Sequence, residues 1–165
     1  MKLLLLLVLF LNVFVNDLPA YRKLLDQSLE NEDASDRFYA QFKSVKENGE
    51  PILVGFKAMS EFMLCKHMVN PFGQLSHFNK GRKLLESAIN RDSDNPELLF
   101  FRFSTQSNIP SLLKYKMNMK ADKLALISYL KAHNDDDKIL YSRIKTYLLI
   151  NQYCTAEEKA MIRKF

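Results

Sequence analysis

"NPELLFFRFSTQ" (Asn95 to Gln106) is the stretch that decides the architecture. Five of the six residues from Leu98 to Phe103 are large and apolar, and the sixth is Arg102. A surface helix is apolar along one stripe only. A helix apolar on nearly every side needs neighbours on both flanks, as an inner helix of a stack has. The start of the helix is also written in the stretch. Asn95 can cap it, Pro96 suits its first position, and Glu97 lies near its positive end. Burying the five apolar side chains would contribute ~1.5–3 kcal/mol each before entropy is counted.

The rest of the chain follows the same pattern. Its 165 residues fit one domain, with 47% hydrophobic and 26% charged residues. Only 4 Gly and 5 Pro are present, too few turn signals for a sandwich or barrel. Apolar residues recur at helical spacing in Leu18–Leu29 (Leu24, Leu25, Leu29). "ENEDAS" reads as an acidic break, followed by a helix capped by Asp36 that carries Phe38, Tyr39, Phe42 and Val45. Pro51 opens a third helix with Leu53, Phe56, Met59, Met63 and Met68, and "NPFG" (Asn70 to Gly73) breaks it. A fourth helix is expected from about Ser76 to Asn90, with Leu84, Leu85, Ala88 and Ile89 inward. After the opening stretch "SNIPSLL" interrupts, and helices follow over Asp122–Ala132 and beyond Asp135–Asp137. "TAEE" (Thr155 to Glu158) has the spacing of a capping box before a last short helix. Consecutive helices joined by short turns pack as antiparallel hairpins. The expected fold is therefore all-α, a stack of helical hairpins.

The N-terminus reads differently. In "MKLLLLLVLFLNVFV", Lys2 precedes 12 apolar residues among the 13 from Leu3 to Val15. That is the layout of a secretory signal peptide, shorter than the ~20 residues of a spanning helix. The nearest cleavage signal is "LPA", ending at Ala20. The expected division is a signal peptide over 1–20 and one helical domain over 21–165, placed in the periplasm or outside the cell. The net charge is +5, short of the concentrated charge of a nucleic-acid binder. "NKGRK" (Asn79 to Lys83), the densest basic cluster, reads as a solvated helix start.

One junction resembles a known family. "LLESAINRDSDNPELLFF" (Leu84 to Phe101) is similar to the boundary between two tetratricopeptide repeats. Ala88 matches that family's small packing residue and Asp92 its turn, with Ser93 where a Pro is usual. "GFKAM" (Gly55 to Met59) resembles the Gly-aromatic element of a repeat's first helix. Gly55 and Ala88 are 33 positions apart, whereas a regular repeat would set them about 19 apart, so the connection "NPFGQLSHFN" (Asn70 to Asn79) is expected to be long. The whole chain also looks similar to uncharacterised helical proteins of the bacterial cell envelope. The resemblance implies a tetratricopeptide-like α-α superhelix that acts as a binding scaffold.

Motifs for chemistry are sparse. Cys65 and His67 lie two apart, ~200° around a helix, so they cannot share an ion. "NDDDK" (Asn134 to Lys138) lacks the Gly and Glu of a calcium loop and reads as a helix cap. No nucleophile elbow, phosphate loop or zincin helix appears. Glu61 and Glu86 are carboxylates that a helical hydrolase would need to pair in space. Cys65 and Cys154 are candidates for a disulfide in an exported chain, against the alternative of two separate thiols. Neither a cofactor nor a metal is expected. The leading expectation is an exported, non-catalytic scaffold that binds an envelope protein and no nucleic acid, with membrane proximity allowed. Outward polar positions on the helices beginning at Pro51 and Pro96 are its candidate contacts: Lys57, Lys66, Arg102 and Gln106. Arg102 has a blander reading, as a stem packed on the core with its head paired to an acid. The alternatives are a helical carrier of a lipid or other apolar small molecule, suggested by the many Phe and Met residues, and a helical hydrolase.

Overall fold

A computed structural model describes residues 17–132 and 137–165. The described residues are all-α, with no strand among them. The helices are α1 (Leu18–Glu30), α2 (Glu32–Phe42), α3 (Pro51–His67), α4 (Pro71–Arg91), α5 (Pro96–Asn108), α6 (Met119–Ala132), α7 (Lys138–Ile150) and α8 (Ala156–Ile162). A 3-10 turn, Ser111–Leu113, lies between α5 and α6. Neighbours in sequence pack on each other in pairs: α1 on α2, α3 on α4, α5 on α6 and α7 on α8. Such packed pairs are compatible with a helical-repeat fold. Most of the expected leader lies outside the described residues. So do His133 and Asn134 to Asp136 of the acidic run. Leu18 to Ala20, beside the expected cleavage point, form the first turn of α1.

Two expected breaks are helix starts instead. Asn31, rather than Asp36, caps α2: its side chain accepts from the Ala34 N–H, and Glu32 and Asp33 of the acidic run form the first turn. There they meet the positive end of the helix, which favours them over a loop. Likewise "NPFG" begins α4. Asn70 accepts from the Phe72 N–H and Pro71 takes the first helical position. The stretch "NPFGQLSHFN" is therefore the start of a 21-residue helix that directly follows α3 after Met68 to Asn70, not a long connection.

The α5 stretch behaves as its composition requires. Leu98, Leu99, Phe100, Phe101 and Phe103 are all buried. Asn95 accepts from the N–H groups of Glu97 and Leu98. A chain of aromatic rings crosses the core from α1 to α5: Tyr21 meets Phe42 edge-on at 4.9 Å, Phe42 stacks on Phe56 at 5.4 Å, and Phe56 meets Phe101 edge-on at 5.1 Å. Close backbone approach is set by two glycines. A Cβ at Gly55 would stand 2.3 Å from Leu98 Cδ2, and one at Gly81 would stand 3.0 Å from the Ala58 carbonyl oxygen. Gly55 thus brings α3 against α5, and Gly81 brings α4 against α3.

Candidate binding groove

The first helices of the four pairs converge on one depression. Its walls come from α1 (Leu25, Leu29), α3 (Met59, Phe62, Met63), α5 (Phe100, Phe101, Thr105) and α7 (Arg143, Tyr147, Ile150). The start of α4 (Pro71, Leu75) and the segment after α5 (Ile109, Leu112) complete the rim. The volume is about 1280 Å³ and the groove is open to solvent. Its surface is mainly apolar. At the mouth, Leu75, Leu112 and Ile150 hold large apolar side chains in solvent. Exposed apolar residues gathered at one opening mark an interaction site more often than scattered ones do.

Several polar side chains in the groove donate inward to the protein itself. Gln74 Nε2 donates to the Met68 carbonyl and Ser104 Oγ to that of Phe101. Asn108 Nδ2 donates to the Ser104 carbonyl and to the Tyr147 hydroxyl. Lys66 Nζ donates to the Leu29 carbonyl, and Arg143 pairs with Asp26 across the α7–α1 side of the groove. The site therefore offers shape and apolar contact, with adaptable thioethers from Met59 and Met63.

Charged networks lie behind this surface. Arg22 donates twice to Glu97 at 2.7 Å and also reaches Asp137, tying α1 to the start of α5 and α7. Arg102 donates to both oxygens of Asp122 and to Glu86, whose other oxygen accepts from the Tyr115 hydroxyl at 2.5 Å. Burial and this bond to a carboxylate both push the Tyr115 hydroxyl well above its ordinary value. Glu61, fully buried, takes His77 at 2.6 Å and Lys80 at 2.5 Å. The bond to Glu61 holds the Lys80 ammonium above its ordinary value.

The four residues expected to face outward are placed very differently. Lys57, Arg102 and Gln106 are buried, which corrects that expectation for all three. Lys57 points its ammonium at the Val45 carbonyl, so its long stem covers apolar surface while its head meets a backbone acceptor. Arg102 is the edge of the core paired with acids, as its blander reading has it. Gln106 lies on the side of α5 that carries Arg102 and Phe103, roughly opposite the groove at 100° per residue. Its amide atoms have no hydrogen-bond partner in the protein. Only Lys66 is exposed and on the groove. Glu61 and Glu86 do not form a carboxylate pair; each is held by its own cation.

Cys65 and Cys154 are free thiols, so the disulfide is not formed. Burial pushes both thiols above their ordinary value, which makes each a poor nucleophile. No group of three His, Cys, Asp or Glu suited to a metal occurs among the described residues. No described helix is long and apolar enough to cross a membrane.

Of the methionines that the sequence sets on the third helix, Met59 and Met63 line the groove. Nothing local in the sequence marks the α7 wall, Arg143, Tyr147 and Ile150, because a groove shared by four helices forms only when they pack. Comparison of the chain with protein-family models, with curated proteins and with solved structures finds no match.

Proposed function

We propose that the protein is an exported, non-catalytic helical-repeat scaffold that holds a segment of another cell-envelope protein. The observation that carries this reading is the apolar groove walled by α1, α3, α5 and α7, the first helix of each successive pair. In α-α solenoids the inner face is built by one helix of every pair, and that continuous concavity is where peptides and helices bind. A tetratricopeptide-like superhelix is the finer form of the reading. It draws support from Gly55 against Leu98 and from Ala88, fully buried on α4. Export rests on Lys2 and the apolar run behind it.

The test is a photo-reactive side chain placed at Ile150 or at Leu112, both exposed at the groove mouth, with crosslinking in intact cells. Adducts to one envelope protein support the scaffold. Adducts to lipid alone support the second reading, a carrier of an apolar small molecule, which the apolar lining of the groove favours. Absence of adducts at both positions removes the groove as the site. N-terminal sequencing of the cellular protein should begin near Tyr21; an intact Met1 on soluble cytoplasmic protein would overturn export.

A further inference from the structure

From the groove's dimensions and hydrogen bonding we infer its occupant: an amphipathic α-helix of about three turns, entering with an uncharged apolar face and carrying acidic residues on its outer flanks. This rests on the scaffold reading and names the form the bound segment takes.

Volume is the first argument. A groove of about 1280 Å³ has room for the apolar face of a helix about 10 Å wide over roughly three turns. Pockets for single small molecules run to ~1,000 Å³ and enclose most of the ligand. This groove is larger than that and open along its mouth.

Backbone chemistry is the second. An extended segment pressed into this groove would bury N–H and C=O groups, and no strand edge exists among the described residues to pair with them. The donors on Gln74, Ser104 and Asn108 already serve acceptors within the chain. A helix arrives with its backbone bonds made, so it loses nothing by entering an apolar trough. A charged headgroup would give up its hydration on entering so apolar a trough.

Charge is the third. Among the described residues the groove's ionised side chains are Lys66, Arg143 and Asp26; Arg143 pairs with Asp26, so the unbalanced charge of the rim is that of Lys66, on a chain of net charge +5. A helix bearing Asp and Glu beside its apolar face would meet this positive rim favourably.

The probe is a displayed library of random peptides about 15 residues long, selected against the full chain and against an Ile150→Glu variant. Ile150 is 75% exposed, so the variant keeps its fold, which circular dichroism verifies. A parallel arm offers phosphatidylcholine vesicles containing phosphatidylglycerol and reads lipid uptake by native mass spectrometry. The expected result is enrichment of peptides with Leu, Ile, Phe or Met at i, i+3, i+4 and i+7 and acids between them. Enrichment should fall about tenfold or more against the variant, and a synthetic copy should gain helix on binding. Enriched peptides that alternate apolar residues at every second position, or carry Pro at their centre, would overturn the helical occupant and leave the scaffold reading standing. Basic flanks in place of acidic ones would overturn the charge assignment. No enriched peptide, with or without lipid uptake, would overturn both the occupant and the scaffold.

Discussion

Arg22 is the residue on which the most distant parts of the chain depend. It is 2% exposed, and its partner Glu97 is 3% exposed. Removing two charges from water costs several kcal/mol each, and the pair offsets this only through close, parallel hydrogen bonds such as the two at 2.7 Å here. Arg22→Met should therefore destabilise the protein by about 3–5 kcal/mol, since it strands the Glu97 carboxylate in the core. Adding Glu97→Leu should restore much of the loss. Urea unfolding of the two single variants and the double variant checks this, and additive losses would sink it. Asp137 closes the same network and caps α7 through the Leu140 N–H. Partial burial works to raise its pKa, but the bonds from Arg22 and from the Leu140 N–H outweigh burial and hold it below 3.8. A carboxyl depressed in the folded state stabilises the fold above its unfolded pKa, and that contribution is lost as pH falls through the folded one. Stability should therefore drop below about pH 4, and Asp137→Asn should flatten that part of the pH profile while lowering stability at neutral pH.

At the scale of the element, α3 and α4 meet closely at Gly81, against a ring and a helix carbonyl. A Cβ at Gly81 would lie 2.8 Å from the Phe62 ring and 3.0 Å from the Ala58 carbonyl. Neither yields easily, because the ring is buried and the carbonyl belongs to a helix. Gly81→Ala should cost about 1–3 kcal/mol despite its better helix propensity, measured as a lowered urea midpoint with unchanged helix content. An equal or higher midpoint would mean that the two helices can move apart freely. The elements legible in the sequence were those whose signals are local. Asn95 and Pro96 fixed the start of α5, Thr155 and Glu158 fixed that of α8 through a complete capping box, and Pro51 opened α3. The misread starts, at Asn31 and Asn70, each had a capping residue beside a stretch that looked like a loop: the acids of "ENEDAS" and the Gly of "NPFG". The proposed contact residues were harder for a different reason. Lys57, Arg102 and Gln106 are polar and helical, so composition placed them outside. The partners that draw Lys57 and Arg102 inward, the Val45 carbonyl and Asp122, are fixed only once α2 and α6 have packed.

For the whole molecule, what matters is how the first and last helix pairs meet. The two are linked through charge: Arg22 reaches Asp137, and Arg143 reaches Asp26. These links differ in kind. Arg22 is sunk in the core, whereas the side chains of Arg143 and Asp26 are 20% and 50% exposed. An ion pair so exposed contributes only ~0–1 kcal/mol to stability, because water and salt screen it. Its position matters more than its strength, since both partners line the groove and the bond joins α1 to α7 across one side of it. Arg143→Ala should therefore leave the urea midpoint nearly unchanged while easing access to the groove. In the scaffold reading, the signature is faster association with a selected helical peptide and a weaker salt dependence, because one rim cation is lost along with the clasp. Asp26→Ala should also speed association, but it should strengthen the attraction of acidic peptides, since it frees the Arg143 guanidinium at the rim. Stopped-flow fluorescence at two salt concentrations separates the variants. Identical rates for the wild-type protein and both variants would show that the α1–α7 bond does not control entry to the groove.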